Sequence, residues 1–373
     1  MNTELMPNEP TRFSPAFMDK MLEHAQILNA SDITLQTGSP IFIEVYGRLM
    51  KITKRDLSNT ELGDLINSIY GPNGTTQLLS GKDIDTHYEF RPNRGIRFRY
   101  RVNATACLVD GHDGIQITLR TIPTLPPALD TMGLPADILA ALAPHEGIVF
   151  ITGATGSGKS TLLASIIRDL IEKDDSNRKV LTYESPIEFV YDDIATKSAL
   201  VSQSEIPRHL PSFSEGIRNA LRRKPRLIMV GECRDPETIS AALEASLTGH
   251  PVYTTLHTAG VSETMRRLVT SFAREERVGR TIDILETIRL CIWQKLVPAV
   301  DGTRVALREY LIFNEEVRDL LLACDPNEVT TKTRQLVRER GQLMTVDAGE
   351  KFQQGLISER VYKLILAGTK EAF

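Results

Sequence analysis

Cysteine is scarce and scattered in this chain. Cys107, Cys233, Cys291 and Cys324 are its four cysteines and form no C-x-x-C pair. That excludes a zinc-ligand spacing and a disulfide framework, and suits a reducing cytoplasm. Long apolar runs are missing as well. None nears the ~20 residues of a membrane span, so a membrane role has to come through partners. The opening MNTELMPNEP has neither the basic n-region nor the apolar h-region of a signal peptide. A strong charge of either sign is also lacking. With a formal net charge of -4, bulk electrostatics drive the chain onto neither nucleic acid nor an anionic membrane. No long internal repeat and no low-complexity tract is found.

What is present is ordinary globular material, 41% hydrophobic and 25% charged over 373 residues. This suffices for a core without staples and, at ~150 residues per domain, for two domains or three. The first dozen residues read as loose. A helix then starts with Ser14 as cap and Pro15 in the first turn, with Phe17, Met21, Ala25 and Leu28 on one face. Strands are expected at 33–36 and 41–46, a helix at 57–70 opened by Ser58 or Asn59, and strands at 88–90, 97–108 and 115–121. Together these make an α+β module over residues 1–121. A stretch with Pro123, Pro126 and Pro127, residues 122–134, reads as a linker. From 135 to 373 the rhythm changes. Short apolar strands at 148–152, 180–183, 227–230 and 252–256 alternate with helices, which predicts a parallel sheet covered on both faces. Helices at 317–324, 330–338 and 358–367 are expected in the tail.

The most informative segment joins the strand at 148–152 to a helix at 161–172. It reads Gly153-Ala154-Thr155-Gly156-Ser157-Gly158-Lys159-Ser160-Thr161 and matches G-x-x-x-x-G-K-[ST] in full. Glycines let successive backbone N–H groups turn inward on phosphates. Lys159 reaches the β- and γ-phosphates of ATP, Ser160 offers its hydroxyl to Mg²⁺, and the helix adds its positive end. Strand before and helix after are the context this motif requires.

The strand at 227–230 runs into Gly231-Glu232. An acid pair is expected there to hold Mg²⁺ and polarise water, but glycine takes the first place. The stretch Tyr183-Glu184-Ser185-Pro186-Ile187-Glu188-Phe189 follows the preceding strand. Strand ends of a parallel sheet converge on the ligand crevice. Glu184, Glu188 and Glu232 are therefore candidates to surround the γ-phosphate. One would serve as general base and another would hold Mg²⁺ through water, Glu232 being the candidate for that contact. His257, just after the strand at 252–256, is placed to hydrogen-bond a γ-phosphate. In Arg97-Phe98-Arg99-Tyr100-Arg101-Val102 the aromatics face a core and the arginines share the other face. That face is open to three readings: a solvated surface, arginine fingers aimed at ATP, or a nucleic-acid surface. Arg222-Arg223-Lys224 reads as a solvated helix end or a subunit contact.

Taken together these pieces resemble the PilT/VirB11 family of secretion ATPases over nearly the whole chain. The resemblance is carried by Ala30-Ser31-Asp32-Ile33, Arg101-Val102-Asn103-Ala104, Arg120-Thr121-Ile122-Pro123 and the GATGSGKST loop. Three boxes add to it: an Asp box at 183–189 with Ser185 for the usual aspartate, an atypical Walker B at Val230-Gly231-Glu232-Cys233-Arg234-Asp235, and a His box from Thr248 to Thr258. It implies a RecA-like P-loop NTPase domain behind a smaller PAS-like α+β domain, and a homohexamer. ATP would sit between the domains, with Arg99, Arg101 and Arg120 closing on its phosphates and Glu188 and Glu232 as catalytic acids. It also implies cytoplasmic components of a membrane secretion complex as partners, with peripheral recruitment to the inner membrane and no direct nucleic acid. The tetracysteine metal site of the extension-type branch is absent, and the retraction motif is matched in part by Val317-Arg318-Asp319-Leu320-Leu321. The variant Asp box, residues 203–210 and Arg222-Arg223-Lys224 look most like the ATPases of type IVB (Dot/Icm) secretion systems. A pilus-retraction motor is the alternative. A small-molecule kinase lacks support, since lid and acceptor-site signals are missing.

Overall fold

The computed structural model describes residues 5–368. They divide into two compact units. One takes the chain up to Thr124 together with Pro186–Phe189, and the other takes Leu125–Ser185 and the chain from Val190 onward.

The first unit is one sheet with helices against it. Its elements are α1 (Pro15–Ile27), β1 (Asp32–Gln36), β2 (Phe42–Val45), β3 (Arg48–Lys51), α2 (Asn59–Tyr70), α3 (Gly74–Leu79), β4 (Ile84–Asn93), β5 (Ile96–Val109) and β6 (His112–Ile122). The strand order is β3-β2-β1-β6-β5-β4, antiparallel throughout. One face carries Ile33, Leu35, Tyr100, Val102, Ile117 and Leu119 into a core shared with Met18, Met21 and Leu22 of α1 and Leu62, Leu65 and Ile66 of α2. This is the alternating pattern of a sheet buried on one side.

Two local expectations are corrected here. Ser14 stands at the N-cap of α1, but its side chain accepts no capping hydrogen bond. Proline in the first turn already lacks one of the N–H groups a cap would satisfy. The opening residues that the structure describes are not loose. Met6 donates its N–H to the Ile52 carbonyl, the Glu9 carboxylate accepts from the amides of Lys54 and Arg55, and Met6 and Phe13 are buried. Residues 1–4 lie outside the described residues.

The second unit contains α4 (Ala136–Ala141), β7 (Gly147–Thr152), α5 (Lys159–Glu172), β8 (Lys179–Glu184), β9 (Leu200–Glu205), α6 (Phe213–Ala220), β10 (Leu227–Val230), α7 (Pro236–Leu247), β11 (Pro251–Leu256), α8 (Val261–Thr270), α9 (Arg277–Thr287), β12 (Ile288–Pro298) and β13 (Arg304–Ile312). The helices α10 (Glu315–Leu322), α11 (Val329–Arg340), α12 (Met344–Gln353) and α13 (Glu359–Leu366) follow. Its sheet runs β13-β12-β7-β11-β10-β8-β9. Strands β7, β10 and β11 are buried at every position, as strands covered on both faces must be. The sheet is not wholly parallel, because β13 folds back antiparallel on β12. A 3-10 turn, Leu129–Met132, lies within the proline-bearing stretch ahead of this unit's first helix. No helix among the described residues is long and apolar enough to cross a membrane.

Candidate nucleotide site

The site is built where β7 ends. Strands β11 and β12 flank β7 on either side, both parallel to it. Gly153 leaves β7 at φ 147° and donates its N–H to the Leu256 carbonyl at the end of β11. A Cβ at Gly153 would collide with the Gln294 carbonyl oxygen and the Ser157 Oγ, so only glycine fits this exit. Ala154, Thr155 and Gly156 are exposed. Gly158 then turns left-handed at φ 80° and α5 begins at Lys159 with no side-chain cap. The first-turn N–H groups and the positive helix end are left for a ligand, the arrangement that makes a strand–loop–helix junction an anion site. The Lys159 side chain is buried, and its Nζ donates to the carbonyls of Gly153 (2.9 Å) and Ala154 (2.8 Å). Ser160 and Thr161 are half-buried at the helix start.

Beside this loop stand the ends of β10 and β11. Glu232 follows β10, and its carboxylate is shared. Arg234 Nε lies 2.7 Å from Oε2, and His257 Nε2 lies 3.4 Å from Oε1. Partial burial, with the positive charge of Lys159, holds the His257 imidazole below its ordinary pKa; Glu232 opposes the shift and Arg234 reinforces it. His257 is therefore neutral at pH 7 and able to accept or donate a hydrogen bond. Lys159, Glu232 and His257 thus meet at neighbouring strand ends, as the crevice rule expects.

Gly231, in place of the first Walker B acid, has a packing reason. Its N–H bonds the Tyr183 carbonyl at 2.7 Å. A Cβ there would stand 3.3 Å from that oxygen and 3.4 Å from Glu184 Cα. A side chain there would crowd the end of β8.

The remaining candidates fall elsewhere. Glu184 ends β8 and is buried. Its Oε1 accepts from the Thr182 hydroxyl (2.6 Å) and from Gln203 Nε2 (3.0 Å) on β9, so the carboxylate is engaged on the β9 side. Glu188 belongs to the first unit, where the guanidinium of Arg99 grips its backbone. Nη1 donates to the Glu188 carbonyl at 2.6 Å and Nη2 to that of Ile187 at 2.8 Å. Arg99 and Arg97 both pair with Glu89 on β4. A solvated arginine face is thereby corrected for these two, since Arg99 is 1% exposed. Arg101 and Arg120 do face solvent. They are directly opposed across β5 and β6, and each is neutralised by an aspartate of the next strand, Asp85 at 2.6 Å and Asp32 at 2.8 Å.

Sequence reasoning missed Arg234, Glu89 and a buried group under the loop: Gln294, Arg308 and Asp347. Arg234 was legible as the basic neighbour of Glu232. Glu89 was legible once β4 and β5 were paired, since it stands opposite Arg99. The buried group had no local signal, because its members are brought together by the β12–β13 pairing and α12.

Strand, glycine loop, helix and flanking strand-end acid define a RecA-like ATPase domain. The chain belongs to the family of type II/IV secretion system proteins, matched across residues 14–355. It is similar to the X-ray structure of the Legionella pneumophila ATPase DotB, with 81% identity, a TM-score of 0.95, and 99% of this chain and 100% of the other covered. The crystal structure of the pilus retraction motor PilT with bound ADP is 30% identical, at a TM-score of 0.80, over 94% and 96% of the two chains. The type IV pilus retraction ATPase PilT of Pseudomonas aeruginosa is 35% identical over 292 residues, 78% of this chain and 81% of the relative.

Proposed function

We propose that this chain powers protein secretion through a type IVB (Dot/Icm-like) machine, as a ring of six subunits recruited to the cytoplasmic face of the inner membrane. The observation that carries the reading is 81% identity with DotB over 99% of the chain, on a fold whose strand–loop–helix junction keeps Lys159, Glu232 and His257 together. ATP is the substrate. Gly153 shapes the exit from β7, and backbone amides of the loop from Ala154 to Thr161 and the Lys159 ammonium take its β- and γ-phosphates. The Ser160 hydroxyl and, through water, the Glu232 carboxylate would hold Mg²⁺. Hydroxyl and carboxylate oxygens are the hard donors that ion prefers, and among the described residues no cluster of three His, Cys, Asp or Glu offers it a protein cage. When bound, the ion neutralises charge on the phosphoryl oxygens.

In this reading Glu188 takes the proton of the attacking water. Neutral His257 reads the γ-phosphate and reports to Glu232. Glu184 braces β8 against β9. Arg99 positions Glu188 through its backbone, while Arg101 and Arg120 swing from their aspartates onto the phosphates. Exposed ion pairs of this kind are worth only ~0–1 kcal/mol, so the exchange is cheap. Residues 1–121, with 186–189 held to them by Arg99, and the rest of 135–373 move as rigid bodies about the linker 122–134, closing on ATP and reopening after hydrolysis.

The test is Lys159→Ala. Turnover is expected to vanish, together with effector export in a host carrying the secretion system. ATPase activity equal to wild type would remove the site assignment. Twitching motility lost on deletion, with export intact, would replace the secretion reading by pilus retraction, which the similarity to PilT supports as the second choice.

A further inference from the structure

The phosphate loop rests on a buried polar chain that the nucleotide chemistry does not itself require. Gln294, in the middle of β12, is 3% exposed, and its Nε2 donates to the Ser157 carbonyl inside the loop at 2.7 Å. The same residue meets the loop twice more. A Cβ on Gly153 would collide with the Gln294 carbonyl oxygen, and one on Gly158 would stand 3.0 Å from its Nε2. The two glycines that open and close the loop's turn are therefore both seated on Gln294. Its other amide atom, Oε1, accepts from Arg308 Nε on β13 at 2.9 Å. Arg308 is 4% exposed, and its remaining nitrogens donate to the carbonyls of Met132 (2.8 Å) and Gly133 (3.2 Å), where the chain comes into the second unit. Its backbone N–H is held by Asp347 of α12 at 2.7 Å.

The links to Ser157, between Gln294 and Arg308, and to Asp347 are buried hydrogen bonds, and those to Met132 and Gly133 are part-buried; polar groups of this kind fix geometry because an unmade bond is costly. We infer that Gln294 and Arg308 are positioning residues for the ATPase site, joining the phosphate loop to the backbone at Met132 and Gly133. Gln294 fixes the loop from below. Arg308 connects that brace to the incoming chain, so a shift of residues 132–133 is felt at the loop without either residue touching nucleotide. The inference builds on the ATPase reading above.

The decisive variant is Gln294→Glu. It has the same shape and keeps the acceptor for Arg308 but loses the donor to Ser157. Its melting temperature should fall by only about 2–4 °C, as loss of one such bond in a domain of this size implies. Amide exchange at 153–158, measured without nucleotide, should rise about tenfold, and affinity for fluorescent ADP should fall about tenfold, as loss of one buried hydrogen bond implies. Arg308→Lys keeps the charge but not the planar fork. It should raise exchange at 129–133 and lower kcat several-fold, with nucleotide affinity little changed. Exchange at 153–158 in Gln294→Glu equal to wild type would overturn the inference, as would tight ADP binding by that variant. Should Gln294→Glu not fold, Gln294→Met, which keeps the volume and loses both bonds, must show the same exchange. Failure of wild-type protein to bind ADP would instead remove the ATPase reading, while the exchange measurement would still decide the brace.

Discussion

Arg97, Arg99 and Arg101 alternate along one strand, yet their surroundings divide them. Arg97 and Arg99 are drawn in by Glu89 and, for Arg99, by two backbone carbonyls, whereas Arg101 stays at the surface with Asp85. Alternation puts all three on a common face, but the Glu89 carboxylate of β4 and the carbonyls of residues 187–188 are not local and could not be read from it. The division predicts opposite phenotypes. Arg99→Ala leaves the carbonyls of Ile187 and Glu188 without their donor, while Glu89 keeps Arg97, and should cost about 1–3 kcal/mol in urea unfolding. Arg101→Ala and Arg120→Ala each break one exposed ion pair and should cost less than about 1 kcal/mol. Turnover should nonetheless fall on the order of 10³-fold in both if they act as arginine fingers. Wild-type turnover in these two variants would remove that role.

At the scale of elements, legibility followed the strength of periodic signals. The loop between β7 and α5 is dictated by residue type, and its placement agrees with the motif. The four apolar strands of the second unit were likewise plain. Edge strand β9 was not, because Leu200–Glu205 is mostly polar and only partly buried. Nor was the β12–β13 hairpin, whose first strand carries a register shift between Ile288 and Leu290. Helix α2 makes a sharper case. Ser58 and Glu61 form a capping box, and Glu61 also accepts from Arg55 (2.6 Å) and from the amide of Phe13. Burial pushes this carboxyl up, but Arg55, the Ser58 and Phe13 amides and the Ser58 hydroxyl more than offset it and hold the pKa at about 2. A depressed carboxyl contributes stability above its unfolded pKa of 4.5 and loses it as pH falls toward 2. Melting measured from pH 6 to pH 3 should show a loss of at most about 2 kcal/mol. In Glu61→Gln that acid dependence should shrink, with lower stability already at pH 6. An unchanged slope would mean that other carboxylates govern acid unfolding.

For the whole molecule, both sheets were readable in outline, since an antiparallel meander and a mostly parallel sheet have different hydrophobic rhythms. The assignment of residues 186–189 to the first unit was not, because it depends on backbone carbonyls, which every residue possesses. Assembly is the prediction at this scale. Light scattering after size exclusion should give a mass near six subunits of 41.6 kDa with a non-hydrolysable ATP analogue and magnesium. A monomer at every nucleotide condition would remove the ring.

The interrupted make-up of the first unit has a consequence during synthesis. A ribosome releases residues 5–124 well before Ile187 and Glu188 exist, so Arg99 must wait through β7, α5 and β8 for the carbonyls that hold its guanidinium. The nascent N-terminal piece holds every residue of its sheet and apolar core but lacks the two carbonyls that Arg99 binds. Its last contacts arrive only with chain that is already building the other half, which ties the maturation of the two halves to one moment in translation.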